Sequence, residues 1–244
     1  MSRFFIEVAY KGTNYSGFQV QQNAVTIQSE LEKAMTIFFR EPITLTGSSR
    51  TDAGVHAKQN FFHFDFNREE AHIVCNATYN INAILPEDIA VLSIVKVKDN
   101  AHCRFDALSR MYQYTLYNKK DPFLTDYAYY YPYQADLERL NKAAVIVLNT
   151  INFETFCKKN VQVHHYDCKI EISEWKIDKH KLIYTVKGNR FLRGMVRGLV
   201  GTMLKVGTKK INLEQFEKIV ASKDARNADF SMPARGLSLI KVSY

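Results

Sequence analysis

The stretch that most constrains this chain is residues 47–57, a run of small and polar residues between two segments predicted to be strands. One predicted strand, residues 43–46, leads into it, and a strand of alternating phenylalanines over residues 62–66 leaves it. The loop holds a single carboxylate, Asp52, between Arg50 and a histidine. Spacing alone is compatible with a turn whose Asp52 accepts hydrogen bonds from nearby N–H groups and with a catalytic carboxylate, and it favours the turn slightly.

Length and hydropathy set the class of protein. With 244 residues, 46% of them hydrophobic, the chain can build one large domain or two similar halves. No run approaches the roughly 18 apolar residues that a membrane span needs. The N-terminus reads as a strand rather than as a signal peptide, so we expect a cytoplasmic protein without membrane partners.

The charge balance favours a polyanionic partner. The formal net charge is +8, from 33 Lys and Arg against 25 Asp and Glu. Neutralising phosphates with such cations releases condensed counterions, although basic proteins without a nucleic-acid partner are also common. The 14 tyrosines and 16 phenylalanines supply stacking surfaces, but most aromatic side chains belong to cores.

The cysteines do not predict a metal site. None of the four forms a C-x-x-C pair. Cys157, His164, His165 and Cys168 are all zinc-ligand types, but their spacing is irregular, whereas structural zinc sites take closely spaced ligand pairs. We therefore expect no metal site.

Hydrophobic periodicity predicts alternating strands and helices in each half of the chain. Beyond those named above, the predicted strands cover residues 3–10, 89–97, 109–118, 168–177 and 182–187. Predicted helices follow Thr26 and cover residues 69–81, 136–150, a segment starting near Arg190, and 212–222. The predicted domains are an N-terminal lobe, 1–120, a connection, 121–135, and a C-terminal lobe, 136–244, without a detectable sequence repeat.

The helix expected near Arg190 would carry a basic stripe. Arg190, Arg193 and Arg197 are spaced i, i+3 and i+7, which places them on one helical face. As a bare pattern, such a stripe is most often a solvated surface.

Residues 50–57, R-T-D-A-G-V-H-A, resemble the catalytic loop of the tRNA pseudouridine synthase A family, which reads G-R-T-D-A-G-V-H-A. Two serines separate Gly47 from Arg50 here. Further resemblances follow in the family's order, with departures that include Lys11, Phe18, Met111, Gln113 and Gly198. They are residues 10–19 to Y-D-G-T-x-Y-x-G-W-Q, 102–107 to H-A-R-F-x-A, 110–114 to R-R-Y-R-Y, 191–201 to F-x-x-x-M-V-R-N-x-V-G, and 232–239 to A-P-x-x-G-L-x-L.

The resemblance implies a fold and a site. It implies an α+β protein of two similar lobes, with one continuous, mostly antiparallel sheet, helices on one side and a basic RNA-binding cleft. It implies Asp52 as the catalytic nucleophile, Arg197 as the cation paired with it and Tyr112 in contact with the target base. Arg50 and Arg110 are further candidates for substrate binding. The implied substrate is tRNA at uridines 38 to 40 of the anticodon stem-loop, and the implied assembly is a homodimer.

The chemistry agrees with this site. Converting uridine to pseudouridine breaks the N1–C1′ bond and joins C5 to C1′ without a redox change or a group donor, so we expect no cofactor. The reaction needs a nucleophile that can leave again. Whether Asp52 attacks C1′, attacks C6 or abstracts a sugar proton stays open, as does whether Tyr112 stacks on the base or assists loss of the C5 proton. Two other functions stay open from the residues: RNA binding without chemistry, and a metal-dependent phosphodiesterase, which would need several clustered ligands.

Overall fold

The computed structural model of the protein describes residues 1–66, 71–158 and 165–244, and it gives only the backbone of residues 71–76. A large, mostly antiparallel sheet and five α-helices are found in these ranges, so the predicted α+β class is confirmed. The chain divides into two compact units, Met1–Leu108 with Leu239–Tyr244, and Ser109–Ser238. This division places the strand that begins at Ser109 in the second unit. The two lobes with the bounds given above and the basic cleft remain predictions.

The first unit combines sheet strands with two helices. Its elements in chain order are β1 (Ser2–Tyr10), α1 (Ile27–Phe39), β2 (Thr46–Gly47), β3 (His56–Phe66), α2 (Ala71–Ile84), β4 (Ile89–Lys96) and β9 (Leu237–Ser243), which begins in the second unit. The main strand order is β4–β1–β3–β9, and β1 pairs antiparallel with both β3 and β4. The short β2 pairs antiparallel with β3.

Helix α1 begins where the sequence predicts it. The Thr26 hydroxyl accepts from the Ser29 N–H (3.1 Å), and the Ser29 hydroxyl accepts in return from the Thr26 N–H (2.9 Å). This reciprocal capping satisfies backbone donors that the first helical turn leaves open. Leu31 and Met35, one turn apart, are fully buried on the face toward the sheet.

The strand predicted over residues 43–46 is wrong for most of its length, since only Thr46–Gly47 forms β2. Side chains of α1 accept hydrogen bonds from backbone N–H groups of the residues ahead of β2, so these groups are not available to a partner strand. Glu32 accepts from the Leu45 N–H (2.9 Å), and Thr36 accepts from the Ile43 N–H (3.3 Å). The partner strand, in turn, starts earlier than its phenylalanines suggest, because β3 begins at His56.

The helix predicted over residues 69–81 is observed as α2, Ala71–Ile84. Residues 69 and 70 lie outside the described ranges. None of the described helices combines the length and the apolar character that a membrane crossing requires.

The second unit combines sheet strands with three helices. Its elements in chain order are β5 (Ser109–Tyr117), β6 (Tyr129–Tyr130), α3 (Leu137–Leu148), β7 (Ile170–Asp178), β8 (Lys181–Gly188), α4 (Met195–Gly207) and α5 (Leu213–Ala221). Three of the strands are antiparallel, in the order β5–β8–β7. The short β6 pairs parallel with β5.

The core of the second unit centres on Trp175. Its ring lies 5.0 Å from that of Tyr184, centroid to centroid, and its indole N–H donates to the Met203 sulfur (3.5 Å). All three side chains are at most 2% exposed. Since Met203 belongs to α4, this contact fixes that helix against β7 and β8.

The prediction that a helix starts near Arg190 is wrong by about one turn. Helix α4 begins at Met195, after Gly194 in the left-handed region at φ +75°. Arg190 and Arg193 therefore precede the helix, and the predicted stripe of three arginines does not form. Arg190 instead donates to the imidazole of His165 (2.8 Å), and the Arg193 carbonyl accepts from the Lys158 N–H (3.0 Å).

Candidate active site

The loop that carries Asp52 is a tight turn with a half-buried carboxylate. The Asp52 carbonyl accepts from the Val55 N–H (3.1 Å), and Gly54 between them adopts φ +78°. Thr51 on one side is buried, whereas Ala53 on the other is exposed. The side chain of Asp52 thus lies at the edge of a fixed backbone turn, where a substrate can reach it.

The segment of residues 10–19 packs directly against this turn. The Phe18 N–H donates to the Thr51 carbonyl (3.1 Å), and the Gly12 N–H donates to Nδ1 of His56 (3.1 Å). A β-carbon on Gly12 would lie 2.0 Å from the Val55 carbonyl oxygen. The close approach therefore requires glycine at position 12, and the two stretches that match the family motif form one structural unit.

His56 has a defined tautomer in this arrangement. Its Nδ1 accepts a backbone N–H, so the ring proton of the neutral imidazole sits on Nε2. The side chain is buried and fixes the start of β3 to the N-terminal loop. Its position next to the turn is that of a structural support for Asp52.

A second support comes from Asn60 and Tyr10, which the sequence analysis missed. The Asn60 amide donates to the Ser49 carbonyl (2.8 Å) and to the Tyr10 hydroxyl (3.2 Å). The Tyr10 hydroxyl also shares a hydrogen bond with the Thr51 hydroxyl (2.8 Å). Because Ser49 and Thr51 flank Arg50, just ahead of Asp52, this network holds the turn from inside. The sequence signal for this support was one polar amide, Asn60, next to the run of aromatic residues in β3.

Arg50 is exposed beside the turn. The hydroxyls of Ser48 and Ser49, which lengthen the lead-in relative to the family motif, are buried without a hydrogen-bond partner among the described residues.

In the second unit, Tyr112 and Arg110 lie on β5 as predicted. Tyr112 is 9% exposed, and its ring meets the Phe191 ring edge-on, with centroids 5.1 Å apart. Arg110 donates through Nη1 to the Asn189 carbonyl (2.9 Å). Both side chains thus contact residues 189–191, the segment ahead of α4.

Arg197 stands in the first turns of α4 and is half-buried. Its Nε donates to the Met232 carbonyl (2.6 Å), which fixes the plane of the guanidinium. Tyr114 lies close by and donates its hydroxyl to the Pro233 carbonyl (2.8 Å). Burial raises the pKa of Tyr114, and the positive charge of Arg197 opposes that rise.

The segment of residues 229–233, which supplies the carbonyl for Arg197, packs tightly on α4. A β-carbon on Gly201 would lie 2.3 Å from the Asp229 carbonyl oxygen. The Asp229 carboxylate also pairs with Lys205 (3.3 Å), and the backbone N–H of Asp229 donates to the Thr202 hydroxyl (3.0 Å). Gly201 therefore lets residues 229–233 approach α4 closely, and the Met232 carbonyl in this segment accepts from Arg197.

The model of one protein family matches most of the chain. The family is described as tRNA pseudouridine synthase, and the match covers residues 6–106 and 143–244, including Asp52 and Arg197. The chain belongs to this family. The members are isomerases that convert uridine in tRNA to pseudouridine, so the chain is an isomerase that acts on tRNA.

Individual relatives agree over the full length. A tRNA pseudouridine synthase A of Parabacteroides distasonis is 39% identical over all of this chain and 96% of its own length. One of Bacteroides fragilis is 38% identical over all of this chain and 97% of its own, and one of Staphylococcus aureus is 36% identical over 98% and 90%. The predicted family membership is confirmed.

Proposed function

We propose that this isomerase converts uridines 38 to 40 of the tRNA anticodon stem-loop, with Asp52 as its nucleophile and without a cofactor. The observation that carries the proposal is the Asp52 turn. A half-buried carboxylate is held there by backbone contacts from residues 12 and 18 and by the Asn60 network. Such preorganisation favours a nucleophile, because little reorganisation is needed when it attacks.

Arg197 is the proposed ion-pair partner of Asp52 in the tRNA-bound enzyme. A carboxylate that loses its water on substrate binding needs a cation to remain ionised. The Nε contact of Arg197 with Met232 presents the guanidinium in a fixed plane, which suits pairing with a carboxylate. Arg50 is the second candidate for this role because it lies two residues from Asp52.

Tyr112 is proposed to contact the target base. Its ring already meets Phe191 edge-on, which limits its orientations and leaves a defined face. The target uridine has to leave its stack to expose the N1–C1′ bond, and an aromatic ring offers the unstacked base a new partner. Arg110, held on the Asn189 carbonyl, and Arg50 are proposed to bind the RNA backbone.

The alternative functions are less well supported. A protein that only binds RNA has no need for a fixed, accessible carboxylate. A metal-dependent phosphodiesterase needs several ligands near the reacting phosphate, yet among the described residues the one group of three metal-binding side chains does not include Asp52. We further propose that the enzyme is a cytoplasmic homodimer, as the family resemblance implies.

The test is a tRNA transcript with uridine at positions 38 to 40, incubated with the purified protein in excess chelator. We expect pseudouridine at these positions, mapped by primer extension after carbodiimide treatment. A transcript with cytidine at the three positions is the matched control and should remain unmodified. Modification at other positions only would refute the proposed specificity, and no modification would refute the proposed activity.

A further inference from the structure

A second group of chemically active side chains lies in the first unit, outside the proposed site. It consists of His63 on β3 with His102 and Cys103 from the segment between β4 and β5, here called the His–His–Cys cluster. One possible ligand atom from each residue lies within 4.8 Å of the others. His63 Nδ1 and Cys103 Sγ are 3.2 Å apart.

The two imidazoles turn an unprotonated nitrogen toward the same turn of the backbone. The Cys103 backbone N–H donates to Nδ1 of His63 (3.4 Å). The backbone N–H groups of Arg104 (3.2 Å) and Phe105 (3.4 Å) both donate to Nδ1 of His102. A backbone N–H can only donate, so each Nδ1 carries a lone pair. All three hydrogen bonds are long for N–H donors and are therefore weak competitors for those lone pairs.

We propose that His63, His102 and Cys103 bind a borderline-soft divalent cation of the Zn²⁺ type, with water as the fourth ligand. Imidazole nitrogen and cysteine sulfur are the ligands such ions prefer, whereas Mg²⁺ and Ca²⁺ prefer oxygen. Tetrahedral bonds of about 2.0–2.3 Å place ligand atoms about 3.3–3.6 Å apart. The cluster is therefore within a small side-chain adjustment of that geometry.

The balance of protons is simple. The Cys103 thiol now donates to the Thr46 carbonyl (3.1 Å). On binding, the Zn²⁺–sulfur bond forms as the S–H bond breaks, and one proton leaves to solvent. His102 is half-buried whereas His63 and Cys103 are buried, so the cation enters, and water binds, on the His102 side.

The surroundings hold the ligands in place. The Tyr244 hydroxyl donates to the Cys103 carbonyl (2.6 Å), and the Asp106 carboxylate accepts from the backbone N–H of His102 (2.7 Å). Arg3, a nearby cation, has its charge engaged by two hydrogen bonds to Asp65 of 2.8 Å each. Arg104, which follows Cys103, places its guanidinium over the Phe105 ring. The bound ion would join β3 to the segment ahead of β5, a stabilising role separate from the isomerisation.

The test uses Co²⁺ as a spectroscopic substitute for Zn²⁺ on untagged, metal-free protein. We expect one equivalent of Co²⁺ to give a thiolate-to-cobalt charge-transfer band together with intense tetrahedral d–d bands. Equimolar Zn²⁺ should remove both. Absence of the charge-transfer band in the parent protein would overturn the proposal.

Variants identify the ligands. Cys103→Ala should abolish the charge-transfer band and weaken Zn²⁺ binding by about 100-fold or more, and His102→Gln should weaken it similarly. Cys157→Ala, which removes another buried cysteine, is the matched control and should bind as the parent does. Zn²⁺ should raise the melting temperature of the parent and the control but not of Cys103→Ala. An unchanged band in Cys103→Ala, or one lost equally in Cys157→Ala, would refute the assignment.

Discussion

Asp52 is a residue whose importance depends on neighbours far away in sequence. Its turn is held by Tyr10, 41 residues from Thr51, and by Asn60, 11 residues from Ser49. The sequence string around Asp52 identified the turn, because eight contiguous residues match one family. It did not identify the supports, since hydrogen bonds between distant residues leave no local pattern. The roles of Asp52, Tyr112 and Arg197 stay predictions that kinetics can test.

Arg197→Ala should lower turnover by about 10²–10³-fold, because it removes charge stabilisation close to the reacting atoms. The affinity for tRNA should change little, since one cation among many is dispensable for binding. Single-turnover rates and filter binding measure the two effects separately. Arg193→Ala, which removes an exposed arginine just ahead of α4, is the matched control and should keep its turnover. Full turnover with weakened tRNA binding would show that Arg197 only contacts the RNA backbone and does not assist the chemistry.

Asn60→Ala should lower both stability and turnover. The Ser49 carbonyl loses its buried donor, which costs about 1–3 kcal/mol of the free energy of unfolding. The loosened turn should reduce kcat at unchanged tRNA affinity. Gln59→Ala is the control, because that neighbouring amide contacts Glu7 and the Val242 N–H instead of the Asp52 turn. Equal kcat in the two variants would show that Asn60 has only a structural role.

At the scale of elements, local signals predicted the fold where local physics determines it. The Thr26 cap and the alternation in β1 and β5 gave elements close to those observed. The prediction failed where contacts from other elements decide. Helix α1 side chains bind the backbone N–H groups of residues 43 and 45, which prevents a longer β2, and the left-handed Gly194 delays the start of α4.

Gly201→Ala should destabilise the second unit by about 1–3 kcal/mol, because the added β-carbon meets the backbone oxygen of Asp229. Gly198→Ala is the matched control on the same helix. Its β-carbon would meet the Phe230 side chain rather than a backbone oxygen, and alanine favours the helix by about 1 kcal/mol, so the loss should be smaller. Urea denaturation measures both variants. A Gly201→Ala protein as stable as the parent would contradict the tight packing of residue 229 on α4.

For the whole molecule, the charge of +8 predicts binding that depends steeply on salt. Each phosphate contact contributes about 0.7–0.9 to the slope of log affinity against log salt, so several contacts should weaken tRNA binding about tenfold or more between 50 and 200 mM salt. Filter binding across a salt series at constant Mg²⁺ measures the slope. A flat response would refute an electrostatic interface.

The charge balance favoured a polyanionic partner, and the family resemblance implied the class of protein and tRNA as its substrate. The family match confirms both the class and tRNA as the substrate. The His–His–Cys cluster was not predicted, since His63 lies 40 residues from Cys103. The other set of cysteines and histidines, which lies close together in sequence, was not predicted to bind metal because its spacing is irregular. Of that other set, His164 lies outside the described residues.

The most direct test of the account is the chemistry of Asp52→Asn. Asparagine is nearly isosteric, so the turn should form and tRNA binding should match the parent, whereas a neutral amide can act neither as nucleophile nor as base. The C5 hydrogen of uridine departs when C5 bonds to the sugar, so tritium release from tRNA labelled at C5 reports the reaction. We expect no release above background from folded Asp52→Asn that binds tRNA normally. Appreciable release by that variant would contradict the assignment of Asp52 as the catalytic residue.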